Sequence, residues 1–362
     1  MDGKGQGNPK KDFRRVAVKV TICDYVPFFP NLYHSNFAFM KTKFLLLFGV
    51  MLIPLALSSQ NDHWFQKGLD AKDPKEQIEY FTKSIEITGA NAEAYFKRGI
   101  AKFVLQDFQG AIDDYSKSIE YDPNNADVYY NRGIVKSDVK DYLGAVADFS
   151  KALELHPNNA LAYNNRGNAK AKIKGFSGAI SDFSKAIEIN PKYAYAFNNR
   201  GFVKNHLKDY QGAISDLNEY ISLEPNNPNG YNSRGFNYLI LSKYDLATKD
   251  FTQAISLKSD YYRAYINRGY VYLQQGMFEK AIKDFNKCLI FNDKSFDANL
   301  DLAIVYYLKR NLRESKKYLD IAKSIEPRLT KGIDGINELE EEEYYWTDKD
   351  KKNLKKMFVK LK

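Results

Sequence analysis

Residues 163–191 read YNNRGNAKAKIKGFSGAISDFSKAIEINP, and the skeleton of this stretch returns along the chain at a spacing of 34 residues. Residues 129–157 read YYNRGIVKSDVKDYLGAVADFSKALELHP, and residues 197–225 read FNNRGFVKNHLKDYQGAISDLNEYISLEP. Self-similarity at a fixed period of this length indicates a stacked-repeat architecture, in which neighbouring units bury one continuous core. We therefore expect one elongated body over most of the 362 residues.

Eight units align on the glycine of their first helix, and together they predict a solenoid over residues 60–329. The first unit, 61–91, contains Gly68 and is three residues shorter between its helices than the others. The seven regular units are 92–125, 126–159, 160–193, 194–227, 228–261, 262–295 and 296–329.

The unit 160–193 shows the local physics of a helix pair. Its second half has apolar residues at three- and four-residue spacing, which predicts one face of a helix; they are Phe176, Ala179, Ile180, Phe183, Ala186 and Ile187. Small residues at Gly167 and Ala179 allow the two helices to approach closely. We expect Gly175 to supply a positive φ in the turn between them, and Pro191 to end the second helix.

This pattern resembles the tetratricopeptide repeat over residues 61–329. The family places an aromatic residue at position four, a small one at eight, Ala at twenty, an aromatic at twenty-four, Ala at twenty-seven and Pro at thirty-two. Here these are Tyr163, Gly167, Ala179, Phe183, Ala186 and Pro191. The resemblance implies an all-α, right-handed solenoid of about eight antiparallel helix pairs that acts as a non-catalytic scaffold. Tyr220 departs from the small residue at position twenty-seven and leaves the packing of its unit open.

Residues 330–362 no longer follow the repeat. We expect an acidic linker, with four consecutive glutamates at 340–343, and then a helix over 347–361 that caps the solenoid. That helix has a narrow apolar stripe, formed by Leu354, Met357, Phe358 and Leu361. Its lysines leave a membrane-surface helix as the alternative.

Residues 40–59, MKTKFLLLFGVMLIPLALSS, have the layout of a secretory signal peptide. Two lysines precede an uncharged run of 14 residues, 44–57, whereas a membrane-spanning helix needs about 20. We therefore expect export to the periplasm or out of the cell, with a cytosolic protein or one anchored at the inner membrane as alternatives. Residues 1–39 are expected to be disordered or untranslated, with Met40 as the true start.

The charge gives little support to a nucleic-acid partner. The formal net charge is +9, but residues 1–43 hold eight of the 54 basic and three of the 45 acidic residues. The remainder carries 46 basic against 42 acidic residues, or +4, which is ordinary for a soluble domain. We expect membrane contact only through the export signal.

No motif in the sequence predicts catalysis, a metal or a cofactor. The four histidines are scattered without ligand spacing, and no phosphate-binding or nucleophile motif is present. Of the two cysteines, Cys23 lies in the leader, and Cys288 stands where most units have Ala or Ser, which predicts a small buried thiol.

An Arg and an Asp occur together in six units and are lost together in the two end units. The pairs are Arg98 with Asp114, Arg132 with Asp148, Arg166 with Asp182, Arg200 with Asp216, Arg234 with Asp250 and Arg268 with Asp284. The end units have Lys67 with Tyr80 and Leu302 with Tyr318. This co-occurrence predicts a salt bridge within or between units.

Two sets of residues are candidates for ligand binding. The resemblance places positions five and nine on the concave groove, where the middle units carry Asn164, Asn168, Asn198, Phe202, Asn232 and Phe236. Their amides suit the main chain of an extended peptide, or else bond neighbouring backbone or one another. Position eleven carries four lysines, which either lay their stems over the helix packing or form an anion track; they are Lys102, Lys136, Lys170 and Lys204.

The sequence thus predicts an exported interaction scaffold that binds a peptide segment or partner helix in its groove. A carbohydrate- or lipid-anion-binding protein that uses the lysine track is the alternative, and a cytosolic scaffold is another. Capture of a C-terminal carboxylate is disfavoured, because positions five and nine have no cations. The partner and the oligomeric state are not predicted.

Overall fold

The computed structural model describes residues 60, 62–89, 91–341 and 347–361. These belong to one compact unit, Ser59–Lys362. The expected leader 1–39, the expected signal peptide 40–59 and Cys23 lie outside the described residues.

The described residues are helical, with short connections. The first two helices are α1 (62–70) and α2 (Pro74–Thr88). The regular units contribute α3 (Ala92–Val104), α4 (Phe108–Tyr121), α5 (Ala126–Asp138), α6 (Tyr142–Leu155), α7 (Ala160–Lys172), α8 (Phe176–Ile189), α9 (Ala194–His206), α10 (Tyr210–Leu223), α11 (Pro228–Ile240), α12 (Tyr244–Leu257), α13 (Tyr262–Gln274), α14 (Phe278–Phe291), α15 (Phe296–Leu308) and α16 (Leu312–Ile325). A 3-10 helix (Pro327–Lys331), α17 (Ile333–Glu341) and α18 (Asp348–Lys360) follow.

Each regular unit is one helix pair, which confirms the tandem-repeat prediction. The first helix of a pair, here called helix A, packs most closely on the helix B that follows it, and helix B then packs on helix A of the next unit. The glycine of helix A makes the first contact possible. A Cβ added at Gly167 would lie 2.7 Å from the Phe183 ring, so only glycine fits there without a shift.

The turn inside each unit differs from the prediction. Gly175 has φ −78° and is the N-cap of α8, while the positive φ falls one residue earlier, on Lys174, at 60°. The other six regular units also have a positive φ at this position, on Gln106, Lys140, Lys208, Ser242, Gly276 and Arg310. The physical reason is that a left-handed residue ends helix A, and the next residue must then cap helix B. Asp141 caps α6 in this way, accepting from the Gly144 amide at 3.0 Å.

Tyr220, whose fit the sequence leaves open, is buried at 2% exposure. The next unit makes room for it with Gly230, where the neighbouring units have alanine, such as Ala196. A Cβ on Gly230 would lie 2.8 Å from Tyr220 Cδ1. The two departures from the repeat therefore compensate one another.

The six Arg–Asp pairs are confirmed, and they act both within and between units. In each pair Nε and Nη2 of the arginine donate to the two carboxylate oxygens, at 2.7–3.0 Å. Nη1 donates to helix B of the preceding unit; for Arg200 the acceptor is Ser184 Oγ, at 3.0 Å. Each guanidinium also lies over the aromatic ring three residues earlier, as Arg200 does over Phe197 at 5.7 Å.

Cys288 is fully buried, as predicted, and burial raises the pKa of its thiol to about 11. At neutral pH the group is therefore a protonated, small apolar side chain.

The chain after the last repeat contains more structure than an acidic linker. The 3-10 helix and α17 follow α16 directly, and Ile336 and Leu339 of α17 are fully buried. The predicted capping helix is α18, which starts with a capping box between Thr347 and Asp350. Within the described part of the chain, no helix has the length and apolar character needed to cross a membrane.

Candidate functional site

The A helices of four consecutive units, α9, α11, α13 and α15, line a cavity of about 660 Å³. Four of the predicted groove residues lie in its lining: Asn198, Phe202, Asn232 and Phe236. Asn164 and Asn168 belong to α7 and are not part of it. A binding role for all six stays a prediction, but the cavity brings the last four of them together.

Asparagines from neighbouring units are bonded to one another along this face. Asn199 Nδ2 donates to Asn164 Oδ1 at 2.9 Å, and Asn267 Nδ2 donates to Asn232 Oδ1 at 3.0 Å. In each case a residue at position six bonds position five of the preceding unit. Asn164 is 4% exposed, so the bond holds it within the stack. Two of the predicted groove asparagines, Asn164 and Asn232, therefore bond side chains of the neighbouring unit.

Asn198 differs from these because its expected donor is missing. The residue that would reach it from the next unit is Ser233, where four of the other regular units have asparagine. Within the described ranges Asn198 makes no side-chain hydrogen bond, and it is only half-buried. Its amide therefore offers one acceptor and two donors to the cavity.

Phe202 is the most prominent apolar group of the cavity. Its side chain is 61% exposed, whereas Phe236 in the next unit is half-buried. The Phe202 ring packs edge-on against His206, with the ring centroids 4.5 Å apart. This contact holds the ring in place on one side while most of its surface faces solvent.

Charged residues line one end of the cavity, and the sequence analysis did not single them out. They are Arg263, Lys294 and Asp297, all exposed. Arg263 and Asp297 occupy position two of their units, a position that lines the groove in tetratricopeptide repeats. That position would have identified both residues, whereas Lys294 lies in a connection between units.

The four lysines at position eleven do not form a free basic track. Each Nζ lies 2.8 Å from the Asp oxygen that also binds the Arg of the same unit. The lysine follows the arginine by four residues, so both project from the same face of helix A. These side chains are 19–25% exposed, and their charges are compensated by the aspartate. This pairing favours a structural role for the four lysines, and the anion track stays an untested prediction.

A cluster of carboxylates lies where α18 meets the last two units, and one of its members, Asp297, also lines the cavity. Asp301 is buried, at 7% exposure, and this burial raises the pKa of its carboxyl well above the usual value. Asp297 on the same helix and Asp350 on α18 add negative charge that acts in the same direction. Tyr270 on α13 also faces this cluster.

Asp301→Asn is expected to raise the free energy of unfolding at pH 7. The folded-state pKa of Asp301 is raised, so its contribution to stability is complete below about pH 4 and is lost as the pH rises through the folded value. Asparagine has nearly the same side-chain volume as aspartate and does not ionise, so the stability that ionisation of Asp301 removes is not lost in the variant. Urea unfolding across this pH range should show a stability gain that grows with pH. Asp293→Asn, at an exposed carboxylate, is the control; parallel curves for the wild type and Asp301→Asn would contradict the assignment.

In the part of the chain that the structure describes, no three carboxylate, histidine or cysteine side chains come together as a metal site. His206 contacts Phe202 and Phe176 through its ring. The groups that the cavity offers to a ligand are therefore amides, aromatic rings and a few exposed charges.

The stack of helix pairs with a concave cavity on the A helices defines a helical-repeat protein. Three segments match known repeat families: residues 262–295 and 130–194 match families described as tetratricopeptide repeat, and residues 101–137 match one described as TPR repeat. The chain is a tetratricopeptide repeat protein, as its sequence pattern predicts.

Solved structures share this architecture. A tetratricopeptide repeat protein from Parabacteroides merdae is 15% identical, over 74% of this chain and 98% of its own, with a TM-score of 0.56. The APC/C hetero-tetramer Cut9-Hcn1 contains a chain that is 19% identical, over 75% of this chain and 53% of its own, with a TM-score of 0.51. MamA is 29% identical, over 48% of this chain and 94% of its own, with a TM-score of 0.45. The first two likenesses concern the fold alone.

A comparison with curated protein sequences finds no match.

Proposed function

We propose that this protein is a non-catalytic scaffold that binds a peptide segment of another protein in the cavity on α9, α11, α13 and α15. Tetratricopeptide repeats generally bind proteins or peptides, and the chain carries them. The observation that carries the proposal is the pairing of a largely exposed Phe202 with the amide of Asn198, which is unpaired within the described residues. Such a site combines an apolar anchor with a main-chain hydrogen-bonding group.

The lining suggests the chemistry of the bound segment. An apolar side chain would pack between Phe202 and Phe236, and the extended backbone beside it would bond Asn198. Arg263 and Lys294 at the end of the cavity favour an acidic side chain there. These cations are exposed, so they contribute orientation more than affinity.

Phe202→Ala is expected to weaken binding of a peptide selected on the wild-type chain by at least about tenfold, which corresponds to ~1.4 kcal/mol. Asn198→Ala should weaken the same peptide by a smaller factor. Peptides from a random display library would be selected on the full chain and measured by fluorescence anisotropy. The matched control is Leu143→Ala, which removes an apolar side chain of 71% exposure on α6, away from the cavity.

Equal binding by Phe202→Ala and Leu143→Ala would overturn the proposed site. Salt dependence separates this proposal from anion binding, because an apolar and amide site should change little between low and high salt. A steep loss of affinity with salt would indicate an anionic ligand instead.

Export is part of the proposal and is supported by the sequence of residues 40–59 alone. The expected result is a mature chain that begins close to Gln60 in the envelope or secreted fraction. N-terminal sequencing of the mature protein checks it, and a mature chain that still begins at or before residue 40 would contradict it.

A further inference from the structure

The groove is not equally open along its length. Of the four residues at positions five and nine of the last two units, Tyr270, Leu300 and Ile304 are 9%, 1% and 1% exposed, while Ile266 is half-buried and lines the cavity. Phe202, at position nine two units earlier, is 61% exposed. The end of the groove that faces the C-terminus is therefore covered.

The cover is the chain's own C-terminal segment. Three residues of α18, Leu354, Met357 and Phe358, are at most 8% exposed and belong to the same buried apolar cluster as Leu300 and Ile304. They follow the three- and four-residue spacing of one helix face. Their burial also leaves this stripe unavailable to a membrane surface while α18 is docked.

A polar contact fixes the start of α18 on the groove. Asp350 is 2% exposed and accepts hydrogen bonds from the Tyr270 hydroxyl and, at 2.8 Å, from Gln274 Nε2. Lys349 Nζ donates to the Gln274 carbonyl at 3.4 Å. Tyr270 and Gln274 occupy positions nine and thirteen of their unit, both of which line the groove in tetratricopeptide repeats.

These contacts go beyond what a cap requires. A cap needs to cover only the last helix pair, α15 and α16. Asp350 instead reaches back over that pair to α13, in the preceding unit. The helix is therefore seated along the concave face rather than only on the end of the stack.

We infer that α18 is an internal ligand of the groove, and that it competes with a partner helix for the end formed by α13 and α15. The partner is an amphipathic helix with an aspartate at the third position of its first turn and apolar residues at the spacing of Leu354, Met357 and Phe358. Release of α18 lengthens the open groove by the parts of α13 and α15 that α18 covers. The inference rests on the proposed use of the groove for binding.

The test uses the full chain and a synthetic peptide of residues 347–361 as the probe. Leu354→Asp places a charge in the buried stripe and is expected to release α18, so amide hydrogen exchange over 347–361 becomes fast. Exchange in α13 and α15 reports whether the repeats stay folded. Val359→Asp, at a residue of the same helix that is 71% exposed, is the control and should not release the helix.

The labelled wild-type peptide should then bind the Leu354→Asp chain with a Kd of about 1–100 µM. It should bind the wild-type chain and the Val359→Asp chain at least about tenfold more weakly, because their groove end is filled. Adding Tyr270→Phe to Leu354→Asp removes the hydroxyl that Asp350 accepts from, and should weaken the peptide by about fivefold.

Three results would overturn the inference. One is a released helix on folded repeats with no binding of the peptide in trans. Another is equal binding of the peptide to the wild-type and Leu354→Asp chains. The third is no change when Tyr270→Phe is added. If Leu354→Asp unfolds α15, Asp350→Asn provides the same release test without a charge in the apolar stripe.

This outcome is separable from that of the proposed function. The peptide 347–361 probes α13 and α15, whereas the selected library peptides are judged by Phe202 and Asn198 on α9. If only the peptide 347–361 fails to bind as expected, the inference about α18 is wrong. If only the library peptides are unaffected by Phe202→Ala, the proposed binding site is wrong.

Discussion

Arg234→Leu is expected to lower the free energy of unfolding by about 3–5 kcal/mol, because it leaves a buried carboxylate without its counterion. Asp250 is 4% exposed and binds Arg234 through two hydrogen bonds of 2.8 and 2.7 Å. Among the described residues, Arg234 is the one cation paired with Asp250. Position eleven of this unit is Tyr238, which lies against the guanidinium instead of supplying a lysine.

The neighbouring unit provides the matched comparison. Arg200→Leu removes the same interaction from Asp216, but Lys204 Nζ remains 2.8 Å from that carboxylate. The loss there should be about 1–2 kcal/mol, since the buried charge keeps a partner. The difference between the two variants therefore measures what the lysine contributes.

A second comparison separates the cost of an unpaired charge from the worth of the pair. Arg234→Leu combined with Asp250→Tyr recreates the combination of Leu302 with Tyr318 in the last unit. The double variant should lose less than about 2 kcal/mol, because no buried charge is left behind.

Urea unfolding at pH 7, with amide exchange in α11 and α12 to localise the effect, measures all four proteins. Equal losses for Arg234→Leu and Arg200→Leu would show that Lys204 does not share in the neutralisation of Asp216. A double variant as unstable as Arg234→Leu alone would show that the loss comes from something other than the stranded carboxylate.

The helix pairs could be predicted from sequence because each unit contacts mainly its neighbours. The aromatic, small and apolar positions of residues 160–193 fix where α7 and α8 pack, and the structure begins these helices at Ala160 and Phe176. The positive φ at Lys174 was misplaced on Gly175, because the residue after the turn has to cap the next helix. Glycine composition alone does not show which of two adjacent residues takes which role.

The pairing of the lysines with aspartates could have been predicted from the residue spacing within one unit. Lys204 follows Arg200 by four residues, a spacing that places both on one side of α9. An aspartate that meets the arginine is then within reach of the lysine as well. The four lysines predict a basic surface only when the aspartate that pairs with each of them is not considered.

Which groove residues are open to a ligand depends on contacts between units and with α18, and the sequence of a single unit does not predict these contacts. Asn198 lacks a partner because Ser233, in the next unit, replaces a donor, and this depends on the offset between neighbouring A helices. The docked position of α18 depends on the hydrogen bond from the Tyr270 hydroxyl to Asp350, two residues that are 80 apart in sequence. Periodicity says nothing about such a contact, since α18 lies outside the repeat.

Tyr220→Ala is expected to cost about 3–5 kcal/mol, because it leaves a cavity where a fully packed ring was. Gly230→Ala should cost about 1–3 kcal/mol for the opposite reason, since its Cβ would lie 2.8 Å from Tyr220 Cδ1 and 2.9 Å from Ile221 Cγ1. The double variant restores the alanine pair that Ala186 and Ala196 form one junction earlier, where both are buried.

We therefore expect the double variant to lose at least about 1 kcal/mol less than the sum of the two single losses, as measured by urea unfolding. The control introduces the tyrosine and the glycine at the contact between the two preceding units, where Ala186 and Ala196 stand. Ala186→Tyr alone should be strongly destabilising. Adding Ala196→Gly should recover part of the lost stability. Simple additivity at both junctions would mean that tyrosine and glycine do not compensate one another. Coupling at both would show that a repeat can exchange a small residue for a large one when the next unit gives up a side chain at the same contact.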